Sequence, residues 1–188
     1  AAIDDNGNIR EGASTEWGGL NDGNSVTQGG VADALAAQTT RTLYTNSGNS
    51  LIALSWSNIR NHYGVTSNAD LADELGTDDI GLTRKINWLL GFDVDDQDGD
   101  GAINDYRTDI FGDPLHSKPT AITYPSGDNT NTRLLVGTNA GFVHFFHDKG
   151  TEVSEEWAFI PDELLEHGLS LISDVDAAEG VAHLRPRP

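Results

Sequence analysis

Between Asp93 and Asp105 the chain places six aspartates in the segment Asp93-Val94-Asp95-Asp96-Gln97-Asp98-Gly99-Asp100-Gly101-Ala102-Ile103-Asn104-Asp105. Their mutual repulsion spreads such a loop unless a cation collects it. The spacing names the cation. With Asp96 as the first position, Asp98 and Asp100 fall at the third and fifth, and Gly101 falls where an EF-hand-type loop turns sharply. Ala102 then supplies a backbone carbonyl, Ile103 is the apolar anchor, Asn104 is a side-chain or water-mediated ligand, and Asp105 is near enough to join. Every ligand is a hard oxygen, which suits calcium. The predicted metal ligands are therefore Asp96, Asp98, Asp100, Ala102, Asn104 and Asp105. The twelfth position holds Arg107 in place of a bidentate glutamate, and no second long amphipathic helix follows. Affinity should accordingly lie in the weaker extracellular regime, on the order of 10⁻⁵ to 10⁻³ M. The competing reading is a solvated acidic turn, and a frame starting at Asp93 lacks the glycine at the turn.

The six histidines invite metal or triad readings. His144 and His147 lie three apart in a segment that alternates like a strand, which sends their side chains to opposite faces and argues against a shared zinc. Asp113, His116 and Ser117 look like a hydrolase set. Neighbouring residues in an extended segment diverge, however, and no Gly-x-Ser-x-Gly elbow surrounds the serine. Asp113 and Ser117 are better suited to holding backbone amides in a turn, and His116 to a hydrogen-bonded packing role. No phosphate loop, dinucleotide fingerprint or paired-carboxylate motif is present, so the sequence predicts no catalytic and no organic-cofactor residues and a non-enzymatic protein.

The elements that must position the loop follow from composition and period. The chain has 188 residues, 37% of them hydrophobic, with Asp+Glu 30 against Lys+Arg 11 and a formal net charge of -19. That field repels phosphate backbones and anionic lipid, which disfavours nucleic-acid and membrane-surface binding. No apolar run approaches the ~20 residues of a membrane helix. Cys 0 removes disulfides, thiolate metal sites and cysteine nucleophiles together. Met 0 and the Ala1-Ala2 start read as a piece of something longer.

Residues 1–30 read as a loop-rich lead-in, and residues 31–92 as a mixed helical and strand segment. Val31 to Ala37 favours a short helix, and Arg41 to Thr45 a strand. A turn at Asn46-Ser47-Gly48-Asn49 is followed by Leu51, Ile52, Leu54 and Trp56, as a return strand or a helix. Ser67 to Gly91 has helical spacing, with a cap at Thr77, Asp78 or Asp79 and an end at Gly91. After the acidic loop of residues 93–105, residues 106–184 turn β-rich: 121–124, 134–136, 142–146 and 157–160, with a turn at Asn139-Ala140-Gly141. Pro161 opens one short helix that Gly168 lies beyond. Residues 185–188 form an unstructured tail. The predicted fold class is mixed α/β, mainly β in the second half.

Three blocks in order carry a resemblance: Gly112-Asp113-Pro114-Leu115-His116-Ser117-Lys118-Pro119, Val136-Gly137-Thr138-Asn139-Ala140-Gly141-Phe142-Val143-His144-Phe145-Phe146, and Glu156-Trp157-Ala158-Phe159-Ile160-Pro161. Together with Arg41-Thr42-Leu43-Tyr44-Thr45, Ile86-Asn87-Trp88-Leu89-Leu90-Gly91 and the Asp loop, the chain from about Gly29 to Leu171 resembles the β-propeller domain of the PilY/PilC family of type IV pilus biogenesis and tip-adhesin proteins. The resemblance implies a secreted protein at the pilus tip or outer membrane of a Gram-negative bacterium. It would support pilus assembly, extension against retraction and surface adhesion, with minor pilins at the tip and host or abiotic surfaces as partners. It also implies that a calcium loop tunes pilus dynamics. A propeller needs several blades of ~40–50 residues, so this chain would hold only an incomplete one, its first blade or so. Unpaired edge groups and apolar surface around Phe142, Phe145 and Trp157 would then favour self-association. Two alternatives share the calcium. A quinoprotein dehydrogenase propeller pairs it with pyrroloquinoline quinone but draws its site from more blades than this chain has, and a dockerin-like module needs a second copy of the loop.

Overall fold

The computed structural model describes residues 4–7, 10, 13, 14, 16, 17, 29–125 and 131–174. The expected tail at 185–188 and most of the lead-in lie outside the described residues. In chain order the elements are α1 (Gly30–Ala36), β1 (Leu43–Ser47), β2 (Ser50–Ala53), α2 (Trp56–His62), α3 (Asn68–Glu74) and α4 (Asp79–Leu90). After the acidic loop come β3 (Thr120–Thr123), β4 (Thr132–Gly137), β5 (Val143–Asp148), β6 (Val153–Phe159), a 3-10 turn (Asp162–Leu164) and α5 (Leu165–Ser170). The protein is mixed α/β, with one open six-stranded sheet in the order β2-β1-β6-β5-β4-β3.

Local sequence accounts for most of these elements. Gly48, at φ 54, begins the two-residue turn that pairs Ser47 with Ser50 across the β1–β2 hairpin. The apolar run after it divides: Ser50–Ala53 is strand, and Ser55 Oγ caps the amide of Asn58 so that Trp56 opens α2 instead of ending a return arm. The helical stretch at 67–91 also divides. Ser67 caps α3 and Asp78 caps α4, its carboxylate accepting from Gly81 N at 2.7 Å. Gly91, in the left-handed region at φ 107, ends α4. Gly168 lies inside α5, not beyond it, where an added Cβ would meet Leu89 Cδ1 at 2.7 Å. Close approach to α4 therefore explains that glycine.

Strands β3 to β6 form an antiparallel meander, and β1 joins it in parallel through Leu43↔Ala158 and Tyr44↔Phe159. The sheet thus runs across the expected boundary between residues 31–92 and 106–184. One core holds Leu43, Leu54, Ile59, Leu71, Leu82, Ile86 and Leu89 with Phe142, Ala158, Ile160 and Leu165. A second gathers Leu35, Ile110, Val136, Phe146 and Val153, and a third, smaller one Trp88, Leu171 and Ile172. Phe142 is thereby buried, contrary to its expected place on an open surface, whereas Phe145 and Trp157 stack on the outer sheet face with centroids 4.7 Å apart and stay partly exposed. All four residues of the edge strand β3 are exposed.

A β-bulge decides what the inner face carries. Phe145 pairs with Trp157 but Phe146 pairs with Glu155, so Glu156 is skipped and Glu155 turns inward beside Phe146. The side chain of Glu155 is 1% exposed and that of Glu156 is 36% exposed.

Gly91 is constrained twice: by its left-handed backbone and by Arg41 Nη1, which lies 2.8 Å from where its Cβ would be. Gly76, at φ 61, has open space around it. Gly76→Ala should cost about 1–2 kcal/mol, the backbone term alone. Gly91→Ala should cost clearly more, measured by denaturant unfolding of the two variants.

Candidate metal centre

The acidic loop hangs from the end of α4 and is closed at its base. Phe92 and Tyr106 form an antiparallel bridge with stacked rings, centroids 5.3 Å apart, and Asp93 N donates to Asp105 O at 2.9 Å. Buried Asp93 accepts from Gln97 N through Oδ2 at 2.8 Å, and Asp95 takes a two-pronged contact from Arg84 of α4 at 2.9 and 2.7 Å. Asp93 and Asp95, both outside the converging group, thus tie the start of the loop to its base and to α4.

Within the loop the turn chemistry matches the predicted frame. Asp96 has φ 50, a left-handed conformation that aspartate tolerates better than most side chains, and Gly99 and Gly101 have φ 75 and 86. Asp96 Oδ1 accepts from Gly101 N at 2.9 Å, Asp98 Oδ1 from Asp100 N at 3.1 Å, and Asp100 Oδ1 from Ala102 N at 2.7 Å. These bonds wind the chain so that one carboxylate oxygen from each of Asp96, Asp98 and Asp100 lies within 4.8 Å of the others. Three anionic hard donors converging in a turn of backbone amides can take a metal ion of the oxygen-seeking class.

The other predicted ligands stand differently. Ala102 is tied into the turn through its amide, and Asn104 is exposed. Asp105 lies outside the converging group. Its carbonyl serves the base of the loop, and its Oδ1 is buried without a hydrogen-bond partner.

Arg107, at the twelfth position, faces the core. Its amide donates to Gly91 O at 3.1 Å, and its guanidinium lies 4.0 Å from the Trp88 ring centroid. The same guanidinium donates to Trp88 O and pairs with Asp109 at 2.7 Å. Burial lowers its pKa to about 10, with Asp109 working against that shift, so it remains charged at neutral pH. The residue that departs from the EF-hand pattern is therefore the anchor fastening the loop's exit to the end of α4.

The histidines fall on opposite faces of β5, as the alternation predicted. His147 lies on the outer face, 3.6 Å from Glu156, and His144 is buried with Nδ1 2.7 Å from Glu155 Oε1. Glu155 also receives Arg41 Nε at 2.8 Å and Nη2 at 2.9 Å. The sequence reading missed this trio. Its only trace is an arginine ahead of one strand and a glutamate inside another, 114 residues apart. Asp113 Oδ1 accepts from Leu115 N at 2.9 Å and Ser117 Oγ from Gly137 N at 3.0 Å, the expected turn-holding roles. His116 is exposed instead of packed.

Compared with known proteins, the chain matches no family model, no curated protein and no solved structure. Among the described residues, no helix is long and apolar enough to cross a membrane.

The buried trio sets a pH dependence. Burial lowers the pKa of His144 and outweighs the attraction of Glu155, whose charge is already matched by Arg41, itself a further lowering influence. Burial pushes Glu155 upward, but the hydrogen bonds from His144 and Arg41 prevail and hold it below the usual carboxylate range. As pH falls through about 6.5 the unfolded chain protonates this histidine while the folded chain does not, so stability drops, with a limiting slope of about 1.4 kcal/mol per pH unit. The Glu155 contribution is lost in the same direction, below about pH 4.5. Melting curves between pH 7.5 and 5 should show the fall, and His144→Gln should flatten it.

The converging aspartates set a second expectation. Calcium should raise the melting temperature, by the equivalent of about 1.4 kcal/mol at ten times Kd. Magnesium should do so far less, because it dehydrates reluctantly. Calorimetric titration of chelator-stripped protein should show saturable calcium binding that Asp98→Ala weakens strongly. Equal affinities would leave the loop as a solvated acidic turn.

Proposed function

We propose that this chain is a calcium-binding part of a type IV pilus biogenesis and tip-adhesin protein of the PilY/PilC kind. In this reading it acts by binding, without catalysis, at the pilus tip or outer surface of a Gram-negative bacterium. It engages minor pilins and a host or abiotic surface, and it supports pilus assembly and the balance of extension and retraction. The observation that carries the calcium part is the convergence of Asp96, Asp98 and Asp100 in a loop whose glycines and amides follow the EF-hand order.

The meander supports the family part. The block at Gly112–Pro119 runs into β3, the second spans the end of β4, the turn at 139–141 and most of β5, and the third lies on β6 and its exit. All three resembling blocks therefore lie along one four-stranded antiparallel unit, the size of a single propeller blade. An incomplete propeller agrees with the exposed edge of β3 and the outward Phe145–Trp157 stack, surfaces that further blades or a second copy would cover.

The test is genetic. Deleting the full reading frame from the bacterium that carries it should abolish surface piliation and twitching. A wild-type copy should restore both, and an Asp98→Ala copy should restore pili with altered twitching. Unchanged piliation and twitching after deletion would overturn the proposal.

A further inference from the structure

A small cavity of about 10 Å³ lies between the end of α4 and the inner face of the sheet, with Trp88, Arg107, Arg41, His144, Ile110 and Phe142 in its wall. That volume accommodates one water molecule. Two polar atoms of its lining residues, Trp88 Nε1 and His144 Nε2, are buried without a hydrogen-bond partner. Native interiors rarely leave such groups unsatisfied, and both residues line the same cavity.

The two atoms are complementary. Trp88 Nε1 can only donate. His144 Nδ1 lies 2.7 Å from a Glu155 oxygen that, as a carboxylate, can only accept, so the imidazole proton sits on Nδ1 and Nε2 presents a lone pair. We propose that this cavity is a built hydration site, holding one water that accepts from Trp88 Nε1–H and donates to His144 Nε2.

The wall excludes other occupants. An anion would find both guanidiniums already matched, Arg41 by Glu155 and Arg107 by Asp109, and would face the Nε2 lone pair. A metal cation would sit between two arginines. An apolar guest larger than a single water does not fit. Trp88 Nε1 and His144 Nε2 supply two of the two to four partners that a buried water takes. The consequence is mechanical. Trp88 is the ring on which Arg107 lies, so the water joins the anchor of the acidic loop to the buried trio of the sheet.

The experiment is nuclear magnetic resonance on the isotope-labelled wild-type chain at pH 7.5, with the Trp88 indole and His144 ring assigned by through-bond spectra. The indole Hε1 of Trp88 should show a rotating-frame cross-peak to water of sign opposite to the diagonal, which separates a bound water from proton exchange. His144 should show a protonated Nδ1, and an Nε2 shift moved from the free pyridine-type value toward that of a hydrogen-bond acceptor. A missing water cross-peak, a proton on Nε2, or an Nε2 shift at the free value would each overturn the proposal. None of these depends on calcium binding or on pili.

Discussion

The buried contact of Glu155 with Arg41 and His144 is the constraint on which the arrangement of this molecule depends. A carboxylate 1% exposed in the core is tolerable only when its charge is matched and its lone pairs are used. Arg41 does the first through a two-pronged contact, and His144 helps with the second. Arg41 also reaches Leu90 O at the end of α4. Through Arg41 and His144 one carboxylate thus links the residue leading into β1, the start of β5, the bulge of β6 and the end of α4. The parallel pairing of β1 with β6 has two register pairs, Leu43↔Ala158 and Tyr44↔Phe159. Such a short ladder joins chain segments over a hundred residues apart, and loop closure works against it. A directional ionic contact, Arg41 with Glu155, lies beside it.

The acidic loop inherits its geometry from that framework. It leaves α4 at Gly91, whose missing side chain leaves room for Arg41, and returns through Arg107, which is stacked on Trp88 of the same helix. The loop's ends are therefore fastened to the scaffold, while Asp98 and Asp100 are exposed and Asp96 is half-buried. The scaffold holds the entry and exit close, and Asp96, Asp98 and Asp100 converge between them in a cluster that could take a metal ion.

The two edge strands of the sheet, β2 and β3, are both mostly exposed. β2 ends one side as the outer arm of a tight hairpin. β3 ends the other with Thr120-Ala121-Ile122-Thr123 exposed throughout, flanked by Lys118-Pro119 before it and Pro125 after it. The aromatic stack of Phe145 on Trp157 extends partly exposed apolar surface across the outer face of the same meander.

The sequence by itself determined the local features. The Asp-x-Asp-x-Asp-Gly spacing dictated a turn that converges carboxylates, Gly91 marked the end of α4 and the run Thr77-Asp78-Asp79 its start, and strict alternation sent His144 and His147 to opposite faces. Each is decided by neighbours within a few residues, where period and backbone preference act directly. The tertiary structure decided the rest. Trp56 became the start of a helix because a serine cap outcompeted its apolar neighbours, and Gly168 entered a helix because Leu89 packs against it. Above all, only the bulge determined which of two consecutive glutamates would be buried. Glu155 and Glu156 are chemically identical, and a one-residue shift in pairing with β5, set by contacts more than a hundred residues from Arg41, turned one into the core and left the other at the surface.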